Sequence, residues 1–242
     1  LEQQVTPYSN RPDSKKQQVA EMFDNIAGKY DFLNHFLSLG IDKWWRKKAI
    51  DELVDDAPQQ ILDVATGTAD FALAAMRLKP TKIVGVDISK EMLAVGRKKI
   101  EKKGLTKQIE LFSGDSENLG FDDNTFDAVT VAYGVRNFEN LQLGLDEIGR
   151  VLKPGGKLVV LEFSRPHVFP IKQLFNFYFK NILPLLGKLV SKDQRAYTYL
   201  PESVQTFPER DEFLNLLTKA GFKNNEWKSL TFGISSIYTG VQ

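Results

Sequence analysis

Apolar residues along this chain follow two different spacings. Between Lys15 and Lys29, Val19, Met22, Phe23 and Ile26 recur at the three- and four-residue interval of one helix face, and Asp42 to Val54 forms a second helical stretch carrying Trp44 and Trp45. From Ile61 the pattern shortens. Strands are predicted at Ile61–Val64, Ile83–Val86, Ile109–Phe112, Phe126–Ala132 and Lys157–Phe163. Helical stretches fall between them at Ala69–Leu78, Lys90–Lys103 and Leu141–Leu152, with Ser89 as N-cap of the second and Met92 and Leu93 facing inward. Strands that alternate with helices over 61–163 predict a parallel sheet covered by helices on both faces, joined by right-handed crossovers.

The regular pattern has punctuation. "KPGG" at Lys153–Gly156 reads as a helix-to-strand turn, in which Pro154 pre-sets one φ and Gly155 supplies the positive φ of a type II turn. After Pro166 the alternation stops, and Phe169 to Val190 is rich in Phe and Leu but broken by Pro184 and Gly187. "RAYTYLPESV" follows. Pro208 to Gly221 predicts one more helix, and Phe222–Leu230 and Phe232–Gly240 two closing strands.

The chain of 242 residues is long enough for one α/β domain with a buried core. A formal net charge of +1 gives no electrostatic pointer to nucleic acid. With no cysteine, disulfides, thiolate zinc sites and a cysteine nucleophile are excluded, and His35 and His167 stand too far apart to suggest a metal site; no metal is expected. The polar stretch 1–18 lacks the apolar region of a secretory signal, and no apolar run is long enough to span a bilayer, so a cytoplasmic protein is expected.

The chemistry begins at "ILDVATGTAD". A strand enters a turn of small residues and then a helix, the place where open α/β sheets bind ligands. The turn holds only Gly67, so it is not the three-glycine dinucleotide fingerprint, and the carboxylate of Asp63 would repel a pyrophosphate. Asp87 ends the second strand, twenty positions after Gly67, where a carboxylate can accept hydrogen bonds from ribose hydroxyls. Asp115 and Ser116 follow the third strand, and Asp115 can accept from an adenine amino group. Acids at three successive strand ends imply a nucleoside that is cationic and lacks phosphates. S-adenosylmethionine fits, its carboxylate meeting amides at the helix N-terminus.

On "NIAGKYDFLN", "SLGIDKWWRK", "LDVATGTAD", "VGVDIS", "YGVRN", "LKPGGKLVVLEFS" and "YLPESVQTFP", the chain resembles the quinone-biosynthesis C-methyltransferases of the UbiE/MenG family, over roughly Gln18 to Gly240. The resemblance implies an α/β, Rossmann-like, mostly parallel sheet of seven strands with the last antiparallel, helices on both faces and an N-terminal helical cap. The expected division is a cap over 1–56, a cofactor-binding core over 57–166, a lid or substrate insertion over 167–205, and a closing helix and strand pair over 206–242. The resemblance also implies cofactor contacts at Thr68, Asp87, Asp115 and Ser116. Where the family often has serine, two positions before the glycine of "GVRN", this chain has Ala132.

Methylation of a ring carbon of a prenylated hydroquinone is the activity the resemblance implies. The expected acceptor is demethylmenaquinol; a benzoquinol or another small-molecule acceptor is the alternative. Such a reaction needs a methyl donor in line with the ring carbon and a ring hydroxyl that loses its proton. It also needs a cation or donor near the resulting oxygen. Arg136 stays protonated and is expected to stabilise that oxygen and fix a water, with Asn137 and Tyr30 as positioners. A salt bridge from Arg136 to Glu139 is the structural alternative. Asp31 and Asn34 are weaker candidates, and neither histidine is expected to act as the base. Phe175, Phe177, Tyr178 and Leu183 are expected in a lid. A homodimer surface or peripheral contact with the inner face of the cytoplasmic membrane, helped by Trp44, Trp45, Lys43, Arg46, Lys47 and Lys48, is the second reading of the apolar segments. An NAD-type oxidoreductase, a non-catalytic nucleoside binder and a nucleic-acid methyltransferase are the rival classes.

Overall fold

The computed structural model describes residues 4–8, 11–182 and 195–242. Its centre is a seven-stranded sheet in the order β3-β2-β1-β4-β5-β7-β6. The strands are β1 (Gln60–Val64), β2 (Lys82–Asp87), β3 (Ile109–Ser113), β4 (Phe126–Ala132), β5 (Leu152–Phe163), β6 (Lys223–Leu230) and β7 (Ser235–Val241). The first five pair parallel, and β7 slots between β5 and β6 antiparallel to both. The two closing strands expected from the sequence supply that antiparallel edge.

Helices α1 (Lys15–Leu37) and α2 (Ile41–Asp51) precede the sheet, and α3 (Asp70–Ala75), α4 (Lys90–Lys102) and α5 (Leu141–Val151) form crossovers. α6 (Ile171–Phe177), α7 (Arg195–Thr206) and α8 (Asp211–Lys219) follow β5. The period-2 alternation of the strands assigns the faces. Ile61, Ile83, Val159 and Leu161 join one core with α2, α3 and α4, whereas Leu62, Val131, Leu158 and Val160 join the other with α5 and α8. A third cluster, Val19, Met22, Ile26, Met92, Ala196 and Tyr199, binds α1 to α4 and α7.

The element boundaries depart from the sequence pattern in three places. α1 continues eight residues past Lys29 to Leu37. Gly28 costs a helix only about 1 kcal/mol, and inward packing by Ile26, Ala27 and Tyr30 outweighs it. The chain then turns at Gly40, whose φ of 76° lets its amide donate back to the His35 carbonyl at 2.8 Å. α8 begins three residues after Pro208 because Arg210, at φ 59°, cannot be part of a helix. In "KPGG", Gly155 takes the expected positive φ of 80°, but the turn becomes a bulge within β5, which jumps register between the Phe126 and Ala128 pairings.

Ser89 accepts from the Met92 amide as the predicted cap of α4, and Asn140 does the same from Leu143 at the start of α5. Asn140 lies on the segment that leaves β4 at the strand-order reversal, and Ser89 on the one that leaves β2, one strand away. Between β1 and β4 the connections diverge in opposite directions, and the crevice this leaves outside the strand ends is the ligand position of such sheets.

Candidate active site

The turn after β1 is built from an unusual backbone. Ala65, Gly67 and Ala69 all sit at positive φ, 54°, 55° and 65°. Only glycine adopts this region freely, and each alanine there stores about 1–2 kcal/mol. The turn after β4 repeats the device with Tyr133 at φ 58°. The two turns touch: a Cβ on Gly134 would lie 2.6 Å from that of Ala65, so only glycine lets them close together. Between them opens a cleft of about 70 Å³, with Gly67, Asp87, Asp115, Ser116, Ala132 and Asn137 in its walls and Lys16, Val19 and Phe23 of α1 closing over it.

Within the cleft Asp87 accepts from the amides of Gly67 and Ser89, each at 2.8 Å. Burial pushes its pKa up to about 6; the Ser89 and Gly67 amides oppose the rise and the charge of Asp24 adds to it. Asp115 is held by Lys16, which also pairs with Glu117 at 3.2 Å. Asn137 has a buried side-chain oxygen with no hydrogen-bond partner.

Behind the cleft lies a larger cavity of about 780 Å³. Its walls are mostly apolar: Met22, Ile26, Trp45, Phe163, Phe175 and Phe179. Phe23, Tyr30 and Tyr133 line both spaces, so these three rings form the partition. Tyr133 packs against Phe163 with ring centroids 4.5 Å apart and lies 6.5 Å from Trp45. Burial raises the pKa of Tyr30, against the Asn34 hydrogen bond and the charge of Arg136, so its hydroxyl stays protonated at neutral pH.

Arg136 faces this cavity. Its guanidinium pairs with Glu162 at 2.7 Å and stands 5.5 Å from the centre of the Phe163 ring, while its Nε has no partner. Glu162 is completely buried; burial raises its pKa and Arg136 opposes the rise. A buried pair of this kind is costly to break, because the survivor is left as an uncompensated charge. The sequence-based alternative, Glu139, instead accepts from the Lys15 amide at 2.9 Å. A second charged group borders the cavity where Asp42 binds Arg46, accepts from Ser38 at 2.7 Å and meets His35 at 2.8 Å. Burial favours the neutral form of Asp42, but the Ser38 hydroxyl and Arg46 outweigh it and hold the pKa low.

The structure thus brings Gly67, Asp87, Asp115, Ser116 and Asn137 to one cleft, Arg136 to the adjoining cavity and Tyr30 to their boundary. Two expected cofactor residues are elsewhere. Asp63 is buried within β1 and lines neither space; it accepts from Thr66 at 2.6 Å and Thr130 at 2.8 Å, tying β1 to β4. Thr68 points away from the cleft and donates to Asp31, which pairs with Lys99 at 2.8 Å. Asn137, expected as a positioner of the ring hydroxyl, lines the cleft and not the cavity of Arg136. Phe177 is exposed outside the lid wall, and Leu183 lies outside the described residues. Trp45 and Arg46 face inward, leaving Trp44, Lys43, Lys47 and Lys48 on the surface.

His167 pairs with Glu209 at 3.2 Å, away from both spaces. Among the described residues no group of His, Asp and Glu is arranged to hold a metal, and no helix is long and apolar enough to cross a membrane. Glu162 escaped the sequence reading, although a lone carboxylate in the apolar run "LVVLEF" was itself a signal, since a buried charge demands a partner.

Solved structures share this architecture. One is a [4+2]-cyclase, SpnF, at TM-score 0.70 and 18% identity, covering 94% of this chain and 96% of its own. Another is an S-adenosylmethionine-dependent methyltransferase of Thermotoga maritima described as a possible histamine N-methyltransferase, at TM-score 0.64 and 18% identity, covering 92% and 98%. At such identities the likeness defines a class by fold alone, the Rossmann-like seven-stranded sheet. The sequence defines the family: residues 11–242 match the ubiE/COQ5 methyltransferase family, and the chain belongs to it. A demethylmenaquinone methyltransferase of Bacteroides fragilis is 51% identical over all of this chain and 98% of its own. A ubiquinone/menaquinone biosynthesis C-methyltransferase UbiE of Geotalea daltonii is 44% identical over 93% and 97%.

Proposed function

We propose that this chain transfers the methyl group of S-adenosylmethionine to a ring carbon of a prenylated hydroquinone, with demethylmenaquinol as the acceptor. The observation that carries the reading is the junction of a narrow cleft edged by Asp87 and Asp115 with a large apolar cavity through a partition of three aromatic rings, with the Arg136 guanidinium on the cavity side. A polyprenyl ring substrate needs such a cavity; a small polar acceptor does not. The relatives named for demethylmenaquinone favour the naphthoquinol over the benzoquinol.

The cleft has the groups a cationic nucleoside needs. Asp87 stands ready for ribose hydroxyls, Asp115 and Ser116 for the base, and the unpartnered oxygen of Asn137, with the open face of Gly67, for the amino-acid end. When bound there, S-adenosylmethionine supplies an electrophilic methyl group. The chain's own residues do the rest. Arg136 is a fixed cation whose free Nε can hold a ring oxygen as it loses its proton to water. Its partner Glu162 fixes the guanidinium in place. Tyr30, protonated and shared by both spaces, positions the ring against the cleft. Trp45 and Phe163 hold its faces. The ring carbon gains the methyl and then releases its hydrogen as a proton, restoring aromaticity.

The acceptor is lipid-soluble, and the cavity has an outlet suited to it. Leu39 and Leu174 line the cavity yet are strongly exposed, and Phe169, Phe177 and Phe232 are exposed on the neighbouring segments. With Lys43, Lys47 and Lys48 near Trp44, this rim favours peripheral contact with the inner face of an anionic membrane over a homodimer surface. Co-sedimentation with anionic vesicles at low salt tests it; a dimer in solution that ignores vesicles is the opposing result.

The acceptor is tested by extracting quinones from cells lacking the protein. A naphthoquinone one methylene lighter than normal should accumulate. A lighter benzoquinone would move the reading to the ubiquinone pathway, and an unchanged quinone pool would sink it.

A further inference from the structure

α7 contributes one polar side chain to the wall of the acceptor cavity that the scheme above leaves without work. Ala196 and Tyr199, three residues apart, share the helix face that packs on Val19, Met22 and Ile26 of α1. Tyr199 is only 2% exposed, and its side chain and that of Leu200 line the cavity. Its hydroxyl has no hydrogen-bond partner. A buried hydroxyl left unpaired costs about 1–3 kcal/mol relative to one that is satisfied. Phenylalanine would fill the same space without that penalty.

Most other polar groups of this wall are engaged. Asp42 is held by Ser38, His35 and Arg46. The Trp45 indole donates to Thr231 at 2.8 Å. Tyr30 bonds Asn34. Among the described residues that leaves three buried polar points on this wall: Nε of Arg136 and the hydroxyls of Tyr133 and Tyr199. Tyr133 belongs to the partition with the cleft, whereas Tyr199 lines the cavity alone. Arg136 and Tyr199 belong to one electrostatic neighbourhood. Burial raises the pKa of Tyr199, and the largest opposing influence is the charge of Arg136. The hydroxyl therefore stays protonated at neutral pH and can both donate and accept.

A hydroquinone carries two oxygens on opposite sides of one ring. We infer that Tyr199 binds the acceptor's second ring oxygen, para to the one held by Arg136, and so orients the ring and selects for a dihydroxylated acceptor. The inference rests on the proposed quinol reading, and deepens it by assigning the second polar anchor. A site that hydrogen-bonds a substrate hydroxyl rejects the analogue lacking it more strongly than an apolar pocket can, because the protein group is then stranded.

The test uses the full chain, two acceptors with the same prenyl tail, and the conservative variant Tyr199→Phe. One acceptor is the naphthohydroquinone; the other is the naphthol that lacks the second ring oxygen. Binding is followed anaerobically by quenching of tryptophan fluorescence, to which the cavity-lining Trp45 contributes, and methyl transfer is followed separately. The expected result is that the native chain binds and methylates the hydroquinone at least ~10-fold better than the naphthol. Tyr199→Phe should lose that preference by weakening the hydroquinone alone, with the naphthol changed by less than ~2-fold. Equal losses on both acceptors would show a packing role and overturn the inference, as would no loss on either. If binding shows the expected pattern but neither compound is methylated, the anchor stands and the quinol methyltransferase reading fails.

Discussion

Arg136 and Asn137 are consecutive in the chain but face different spaces, Arg136 the large apolar cavity and Asn137 the narrow cleft. The single helical turn Val135–Asn137 at the end of β4 produces this split, with the Tyr133 ring between the two spaces. One short segment thereby serves both substrates of a transfer reaction. The two side chains should consequently fail in different ways.

Arg136→Gln keeps a hydrogen-bond donor but removes the cation. Turnover should drop by about 10²–10³-fold, the cost of losing one preorganised stabiliser of a developing oxyanion. Cofactor affinity, measured by calorimetry, should stay within ~2-fold, since the residue does not reach the cleft. Full turnover in this variant would falsify the assignment. Arg136→Ala is a poorer probe, because stranding the buried Glu162 carboxylate should cost about 3–5 kcal/mol of stability.

Asn137→Ala should do the reverse. The residue lines the cleft and its side-chain oxygen is buried without a partner, so S-adenosylmethionine should bind about 5–10-fold more weakly, roughly the loss of one hydrogen bond. The maximal rate at saturating cofactor should change less than the affinity. An unchanged dissociation constant with a collapsed rate would return Asn137 to the acceptor side.

Asp87 gives the cleft a pH signature. Its pKa stands at about 6 without ligand, and ribose hydroxyls need the ionised carboxylate as acceptor. Cofactor affinity should therefore be flat above pH 7 and fall as the pH drops through 6. Asp87→Asn should bind weakly at every pH, without that dependence. Titration calorimetry between pH 5 and 8 compares the two; a native affinity indifferent to pH below 6 would contradict the role.

Asp63 should matter for stability rather than for binding. Asp63→Ala strands the hydroxyls of Thr66 and Thr130 inside the sheet, at about 1–3 kcal/mol. Chemical denaturation should show the loss, with the folded fraction keeping its cofactor affinity to within ~3-fold. Its folded pKa of about 6 lies above the ordinary 3.8, so the protonated form is favoured by folding. This contribution is fully present below pH 4 and is lost as pH rises through 6; Asp63→Asn should remove that part of the stability profile.

Much of the cleft was legible because local chemistry fixes it. A strand, a small-residue turn and a helix place Gly67 beside Asp87 in any sheet of this kind, and a Ser cap starts α4 wherever the helix begins. The strands and their faces followed from period-2 hydrophobicity. Asp63 was less legible. The predicted strand Ile61–Val64 already contained it, but which face its side chain takes and which partners it meets depend on the pairing of β1 with β4, where Thr130 stands opposite it.

The chain alone determined the α/β architecture, the family and the acids of the cofactor turn, since these rest on periodicity, turn chemistry and motifs spanning a few residues. Tertiary structure alone decided who partners whom. Glu162 rather than Glu139 holds Arg136 because β5 lies beside β4, a neighbour 26 residues away in the chain. Tyr199 reaches the acceptor cavity because α7 packs on α1, and nothing in "RAYTYLPESV" records that contact. Electrostatic pairing and cavity walls depend on distance in space, which sequence separation does not measure.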